Sequence, residues 1–356
     1  MHTTYIANTQ LLTAAGANSI ANFCAYRAGI CTYQSANYHT LDHHQITLAL
    51  VPDGALPPLA DALEEAGLSY RDERLLQMTS MAAGQMLAQY QGDPIPLIMA
   101  GPENYPNLEN QFPSRFLALL REQAELPILY NASRILCTGR TGMLEAIRIA
   151  QHYLASGHYE QVLVGGVDSC QYSDWLLMLD RDGRLKSESA RNNGDNFVPG
   201  EGAAFLLLTN NPSLAMQSKG YRITLGAPGF GDEPGHIYSN QPYRGVGLDA
   251  AVKAALSCLP EQQKIHTVFS SMNGEHYWAK EFGVAIARSG HRLHHHKLEH
   301  PADCYGDIGA ATGGALIALA AQFCFKSSIP KDCLVCTSSD SSYRAAICVM
   351  PERIST

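Results

Sequence analysis

One succession of elements occurs twice in this chain: a glycine-containing loop, an apolar helix, a strand and an acidic turn. Nothing else in the sequence constrains the fold as strongly. Thr138-Gly139-Arg140-Thr141-Gly142 leads into an apolar helix, a turn at Ser156-Gly157, the run Val162-Leu163-Val164 and then Asp168. Gly306-Asp307-Ile308-Gly309 leads into a helix over 310–325, a turn at Ser328-Ile329-Pro330, the run Cys333-Leu334-Val335 and then Asp340. A unit of this size repeated once points to two related halves rather than an array of small repeats. The pattern breaks at the turn formers Asn210-Asn211-Pro212-Ser213, so the expected halves are 1–212 and 213–356, packed as one body.

Around the repeat, apolar runs alternate with helical spacing. The periodicity predicts strands at 5–7, 46–51, 94–99, 135–137 and 161–164, and helices over 17–28, 59–66, 71–90, 112–122 and 142–156. Strands apolar on both faces need helices on both sides, so the class is α/β with covered sheets. With 46% hydrophobic and 16% charged residues, the 356-residue chain has enough apolar surface for a large core and is not disordered. A net charge of −8 without clustered Lys and Arg argues against a nucleic-acid or anionic-membrane surface. No uninterrupted apolar run reaches the ~18 residues that a spanning helix needs. Met1-His2-Thr3-Thr4-Tyr5 has neither a basic start nor an apolar stretch, so no signal peptide is expected. Ten cysteines scattered without framework spacing fit a reducing cytoplasm.

Three segments at matching spacing resemble the β-ketoacyl synthase family of thiolase-like enzymes. The first runs from Thr138-Gly139-Arg140 through Ser156-Gly157 to Gly165-Gly166-Val167-Asp168, similar to that family's nucleophile elbow, helix and "GGV" strand. The second joins Asp182-Gly183-Arg184 to Asn196-Phe197-Val198-Pro199-Gly200-Glu201-Gly202-Ala203, which looks like its "GFV-x-GEGA" segment. The third, Gly306-Asp307-Ile308-Gly309-Ala310-Ala311-Thr312-Gly313, is similar to its "GH-x-x-AAAG", and 270–281 gives a weaker match to "HGTGT…GD…E". The resemblance covers most of the chain from Thr138 onward. It implies a layered αβαβα thiolase-like fold and a dimer paired through an edge strand around Gln161 or Ile135.

The same resemblance shows what the chain lacks. In the family a Cys begins the elbow helix, where the dipole and backbone N–H groups activate it, and two His residues hold the thioester carbonyl. The position matching that Cys is Arg140. Asp307 matches one His, Ser270 or Ser271 the other, and a family Lys falls near Ala302. The loop 338–342, with Ser339 and Asp340, stands where the family has its glycine-rich acyl gate. A guanidinium stays protonated and cannot attack a thioester. Arg140 at a helix N-terminus opposes the dipole and needs a carboxylate, so it is expected to pair with Asp307 or Asp340. Either this pair is structural, or Arg140, Asp307, Asp340, Ser271 and Ser339 line a binding pocket.

Other candidates favour bland readings. Cys137 lies in an apolar run, where a thiol is inert packing. Ser270, Ser271 and His276 lack a Gly-x-Ser-x-Gly elbow, and Asn273-Gly274 marks a turn. His294-His295-His296 with His300 and Cys304 has no paired ligand spacing, so no metal is expected. Cys333 and Cys336, three apart on a strand, face opposite sides. Gly226, Gly229, Gly231 and Gly235 lie in a loop without dinucleotide-site context. Tyr277 and Trp278 are read as core packing before interface anchors.

The expected function is therefore binding: a non-catalytic partner subunit, scaffold or adaptor, either chain-length-factor-like or recruited to another bacterial machinery. No cofactor is expected. The expected partners are a second copy or an active ketosynthase, with an acyl carrier protein as a further one. The competing readings are an acyltransferase or hydrolase using Ser270, Ser271 or Cys137, and a self-pairing structural protein with no ligand.

Overall fold

The computed structural model describes residues 3–105, 108, 115–188, 194–293 and 297–354. Fourteen strands are present among them: β1 (Thr4–Thr13), β2 (Gln34–His39), β3 (Gln45–Leu48), β4 (Leu97–Ala100), β5 (Arg134–Leu136), β6 (Gln161–Asp168), β7 (Gly202–Thr209), β8 (Gln217–Ser218), β9 (Tyr221–Leu225), β10 (Gly229–Asp232), β11 (Thr267–Ser270), β12 (Lys297–Glu299), β13 (Cys333–Ser338) and β14 (Tyr343–Arg353). The helices are α1 (Ser19–Arg27), α2 (Tyr70–Leu87), α3 (Phe116–Gln123), α4 (Gly142–Ala155), α5 (Ser173–Arg181), α6 (Val246–Leu256), α7 (His276–Leu293), α8 (Ala302–Tyr305) and α9 (Thr312–Lys326).

The strand order exposes the duplication. One half-sheet runs β5-β4-β6-β7-β1 and the other β12-β11-β13-β14-β9. In each, the first three strands are parallel and the last two antiparallel. The halves join where β1 meets β9 through only two register pairs, Thr4 with Leu225 and Tyr5 with Thr224. The first half-sheet draws its strands from 4–209 and the second from 221–353.

Burial along single strands sets the layers. On β6, Val162 and Val164 join the core shared with α4 and α9, while Leu163 and Val167 join the core under α2 and α3. On β13, Cys333 and Val335 face that same shared core, and Leu334 and Cys336 face α6 and α7. A side-chain period of two thus places consecutive residues in different layers. The result is the expected five-layer αβαβα sandwich: α2/α3, sheet, α4/α9, sheet, α6/α7. Gly309–Lys326, the 3-10 turn Gly309–Ala311 together with α9, is long and apolar enough to cross a membrane, yet 83% of that window is buried inside the protein.

Several expectations need correction. The stretch 59–66 holds only a short 3-10 turn, Asp61–Leu63, because Pro57-Pro58 precedes it, Gly67 follows in a left-handed conformation, and Leu63 alone is fully buried. The first strand runs ten residues, well beyond 5–7, since pairing with β7 propagates it. Gln161 is not on an edge: β6 pairs with β4 on one side and β7 on the other, leaving β5 around Ile135 at the border. Gly229 and Gly231 belong to strand β10, not a loop, and a Cβ at Gly229 would lie 2.5 Å from the Ala255 nitrogen, so bare glycine lets α6 press on the sheet. Residues 112–114 of the helix expected over 112–122, and His294-His295-His296, lie outside the described residues.

Candidate functional site

The loops at the carboxyl ends of the parallel strands in both half-sheets converge, which is where α/β folds build sites. After β5 the chain makes a left-handed turn at Gly139 (φ 61°) and one 3-10 turn, Gly139–Thr141, before α4. The pseudo-equivalent entry to α9 uses Gly309 (φ 50°) and the 3-10 turn Gly309–Ala311. Glycine is required at both elbows by conformation and by space: a Cβ on Gly139 would lie 2.5 Å from a Glu103 carboxylate oxygen, and one on Gly309 would strike Asp168.

Arg140 sits on the first elbow with 3% exposure. Its Nε donates to both Asp307 oxygens at 3.0 and 2.8 Å, and one terminal nitrogen makes a further short contact with the same carboxylate. The other terminal nitrogen donates to Asp340 Oδ1 at 2.7 Å. Arg140 therefore takes both carboxylates, not one. Asp307 is supplied by the loop between α8 and α9, and Asp340 by the tight turn joining β13 to β14.

The cluster extends further than Arg140. Arg184 bonds Glu275 through Nε and a terminal nitrogen, at 2.7 and 3.0 Å, and reaches Asp340 Oδ2 at 2.9 Å. The Tyr238 hydroxyl bridges Arg184 and Asp340. Asn273 donates to Asp307 at 2.9 Å and to Glu275 at 3.1 Å. Trp278 Nε1 donates to Glu275 at 2.9 Å, and its ring lies 5.3 Å from the Arg140 guanidinium carbon and 5.6 Å from that of Arg344. Glu103 accepts from the backbone N–H groups of Asp340 and Ser341, at 3.1 and 2.8 Å, and so fixes the β13–β14 turn.

Two guanidiniums thus face four carboxylates, and the charge states follow. Burial opposes the charge on Asp340, but Arg184 and Arg140 outweigh it and hold the carboxyl well below its usual range. Glu103, buried first of all and facing Asp340, is pushed up to about 7. Burial also works against the Arg140 charge, and Asp307 and Asp340 more than offset it. Among the described residues the cluster is a buried, anion-rich ion-pair network with no surplus of positive charge to offer a negatively charged ligand.

Residues 137–212 match the family described as Beta-ketoacyl synthase, N-terminal domain. The whole chain superposes on solved ketosynthases. A ketosynthase in complex with its chain length factor from Xenorhabdus doucetiae gives a TM-score of 0.74 at 17% identity, covering 99% of this chain and 98% of that one. The fold is that of the ketosynthases. The ketosynthase from module 6 of the bacillaene synthase of Bacillus subtilis 168 gives 0.74 at 13% identity, over 99% of this chain and 72% of that one. A type II polyketide synthase acyl-carrier protein in complex with its ketosynthase bound to the hexaketide gives 0.76 at 14%, covering 100% of both chains. No curated protein matches the sequence significantly.

Within this ketosynthase fold the other expected residues are placed as follows. Ser339 Oγ donates to the Thr138 carbonyl at 2.6 Å and accepts from the Thr141 N–H at 3.2 Å, tying the β13–β14 turn to the elbow. Ser271 Oγ accepts from the Ser338 N–H at 3.0 Å, and Ser270 Oγ accepts from the Met272 N–H at 3.3 Å. Both hydroxyls are buried and engaged with backbone. Cys137 is half-buried, and burial followed by Asp168 pushes its thiol up. His300 bonds Asp303 at 2.8 Å, and Cys304 is buried. Arg184, Glu275, Glu103 and Tyr238 are not among the expected site residues. Asp182-Gly183-Arg184 holds a signal, since Gly183 is left-handed (φ 68°) and turns the arginine inward. Asn273 does more than mark a turn, because its side chain links Asp307 to Glu275.

Proposed function

We propose that this chain is a non-catalytic ketosynthase-like subunit that works by pairing with another protein, an active ketosynthase in the manner of a chain length factor. The observation that carries this reading is Arg140 on the elbow, buried and held by Asp307 and Asp340 where a condensing enzyme needs a thiolate. A buried charge held by two carboxylates fills the site and offers no nucleophile. Arg140, Asp307, Asp340, Ser271 and Ser339 are then the parts of a plug that shapes the adjoining loops. Association with an acyl carrier protein and a cytoplasmic setting go with this reading.

The competing acyltransferase reading needs a free nucleophile. Ser270 and Ser271 spend their oxygens on backbone N–H groups, and the Cys137 thiol is disfavoured as thiolate. Two measurements separate the readings. Incubation with acyl-thioesters followed by intact-mass spectrometry should show no adduct, and an acyl group on any residue overturns the proposal. Co-expression with a ketosynthase and a carrier protein from the same genome should yield a stoichiometric complex with one such pair. A lone homodimer that ignores both counts against it.

A further inference from the structure

Remote from the Arg140 cluster, the end of α6 and strand β14 bring two thiols together. Cys258 is exposed in the turn after α6, and its Sγ donates to the Ala255 carbonyl at 3.1 Å. Cys348 is buried on β14, and its Sγ donates to the same carbonyl at 3.5 Å. Both lie against Gly226: a Cβ there would stand 2.8 Å from Cys258 Sγ and 3.4 Å from Cys348 Cβ. The absence of a side chain at 226 leaves room for the two sulfurs to approach each other.

The turn carrying Cys258 is held by a fixed cation. Arg292 donates to the carbonyls of Leu256, Pro260 and Gln263 at 2.9, 3.0 and 3.3 Å, so its guanidinium is anchored on the turn that carries Cys258. An exposed sulfur next to a cation and a hydrogen-bond donor is the environment that makes a thiol nucleophilic. The neighbouring Cys348 thiol, with Arg292 as a smaller contributor, brings Cys258 down to about 7 against the opposing effect of burial, while Cys348 is held up by its neighbour Cys258 and by burial.

We propose that Cys258 and Cys348 form a peroxide-responsive pair, Cys258 reacting first and Cys348 resolving it. The Cys258 thiolate attacks one oxygen of a hydroperoxide, the O–O bond breaks, and the products are a sulfenic acid and the corresponding alcohol or water. Cys348 loses its proton, attacks the sulfenic sulfur and expels water, leaving a disulfide. Two thiols give up two electrons in all, and one peroxide is reduced by two. The disulfide pins the end of α6 to β14, fastening the outer helical layer of the second half to its sheet. Cys324 and Cys333 are also close, 3.9 Å between sulfurs, but both are buried and so serve as the internal comparison.

The test treats the full reduced chain with stoichiometric hydrogen peroxide, alkylates the remaining thiols and maps cross-linked peptides by mass spectrometry. The expected product links the peptides of Cys258 and Cys348, with loss of two hydrogens from the intact mass, restored by dithiothreitol. Cys348→Ser should leave Cys258 as a sulfenic acid trapped by dimedone. Cys258→Ser, a change at an exposed site, should slow peroxide consumption by about tenfold or more. A cross-link between Cys324 and Cys333 forming first, sulfinic acid on Cys258 of the native chain without a cross-link, or undiminished oxidation of Cys258→Ser would each overturn the pairing.

Discussion

At the residue scale, Arg140 balances a local excess of negative charge. Asp307 is 6% and Asp340 0% exposed, so neither can turn to water if the guanidinium is removed. Arg140→Met keeps much of the volume while leaving Asp307, among the described residues, with only Asn273 as a side-chain donor. Removing one partner of a buried ion pair costs about 3–5 kcal/mol, because the remaining charge is uncompensated. Urea denaturation should show that loss as a lower midpoint with an unchanged slope. Adding Asp307→Asn to Arg140→Met should recover part of it, since the orphaned charge is then gone. An Arg140→Met chain as stable as the parent would mean that the cluster is solvated and the plug open.

At the element scale, what holds the site together is the close approach of the two elbows, and glycine in β6 permits it. A Cβ at Gly166 would lie 2.5 Å from the Ala310 carbonyl oxygen and 2.8 Å from the Met143 side chain. Gly166→Ala therefore pushes the second elbow and α4 apart, an overpacking that costs about 1–3 kcal/mol. Thermal denaturation should register it as a lowered midpoint, and restoring room with Met143→Ala in the same chain should relieve part of the clash. The repeat made these elements legible: α4 with β6 and α9 with β13 announce themselves by two copies of one pattern, and the apolar runs set their bounds within a few residues. The ion-pair partners were less legible. Asp307 and Asp340 fall at matched ends of the repeat, but Glu103 and Glu275 lie on loops whose convergence depends on the whole sheet order. The stretch 59–66 misled because its leucines and alanines have helical spacing, while the prolines before it and the left-handed Gly67 after it confine the chain to one turn.

At the scale of the whole molecule, the two half-sheets meet edge to edge through only two register pairs, so strand pairing cannot be what unites them. The shared helical layer does that. α9 belongs in sequence to the second half, yet it packs against β7 and β1 of the first as well as β13 of its own, and α4 packs directly on α9. Leu316, Ile317, Leu319 and Ala320 of α9 lie in one core with Ile147, Val164 and Leu206 of the first half. A fragment ending at residue 212 would leave that face of β6, β7 and α4 uncovered, and the shared core is too apolar to be left to water. The full chain should therefore melt in one calorimetric transition, with the van't Hoff and calorimetric enthalpies in agreement. Expressed alone, residues 1–212 should give a collapsed species without near-ultraviolet circular dichroism. Mixing them with residues 213–356 should restore the signal, since the missing surface is supplied by α9. A first half that folds by itself, with sharp dispersed amide resonances, would mean that the halves are autonomous and that the buried layer between them is an interface rather than a core.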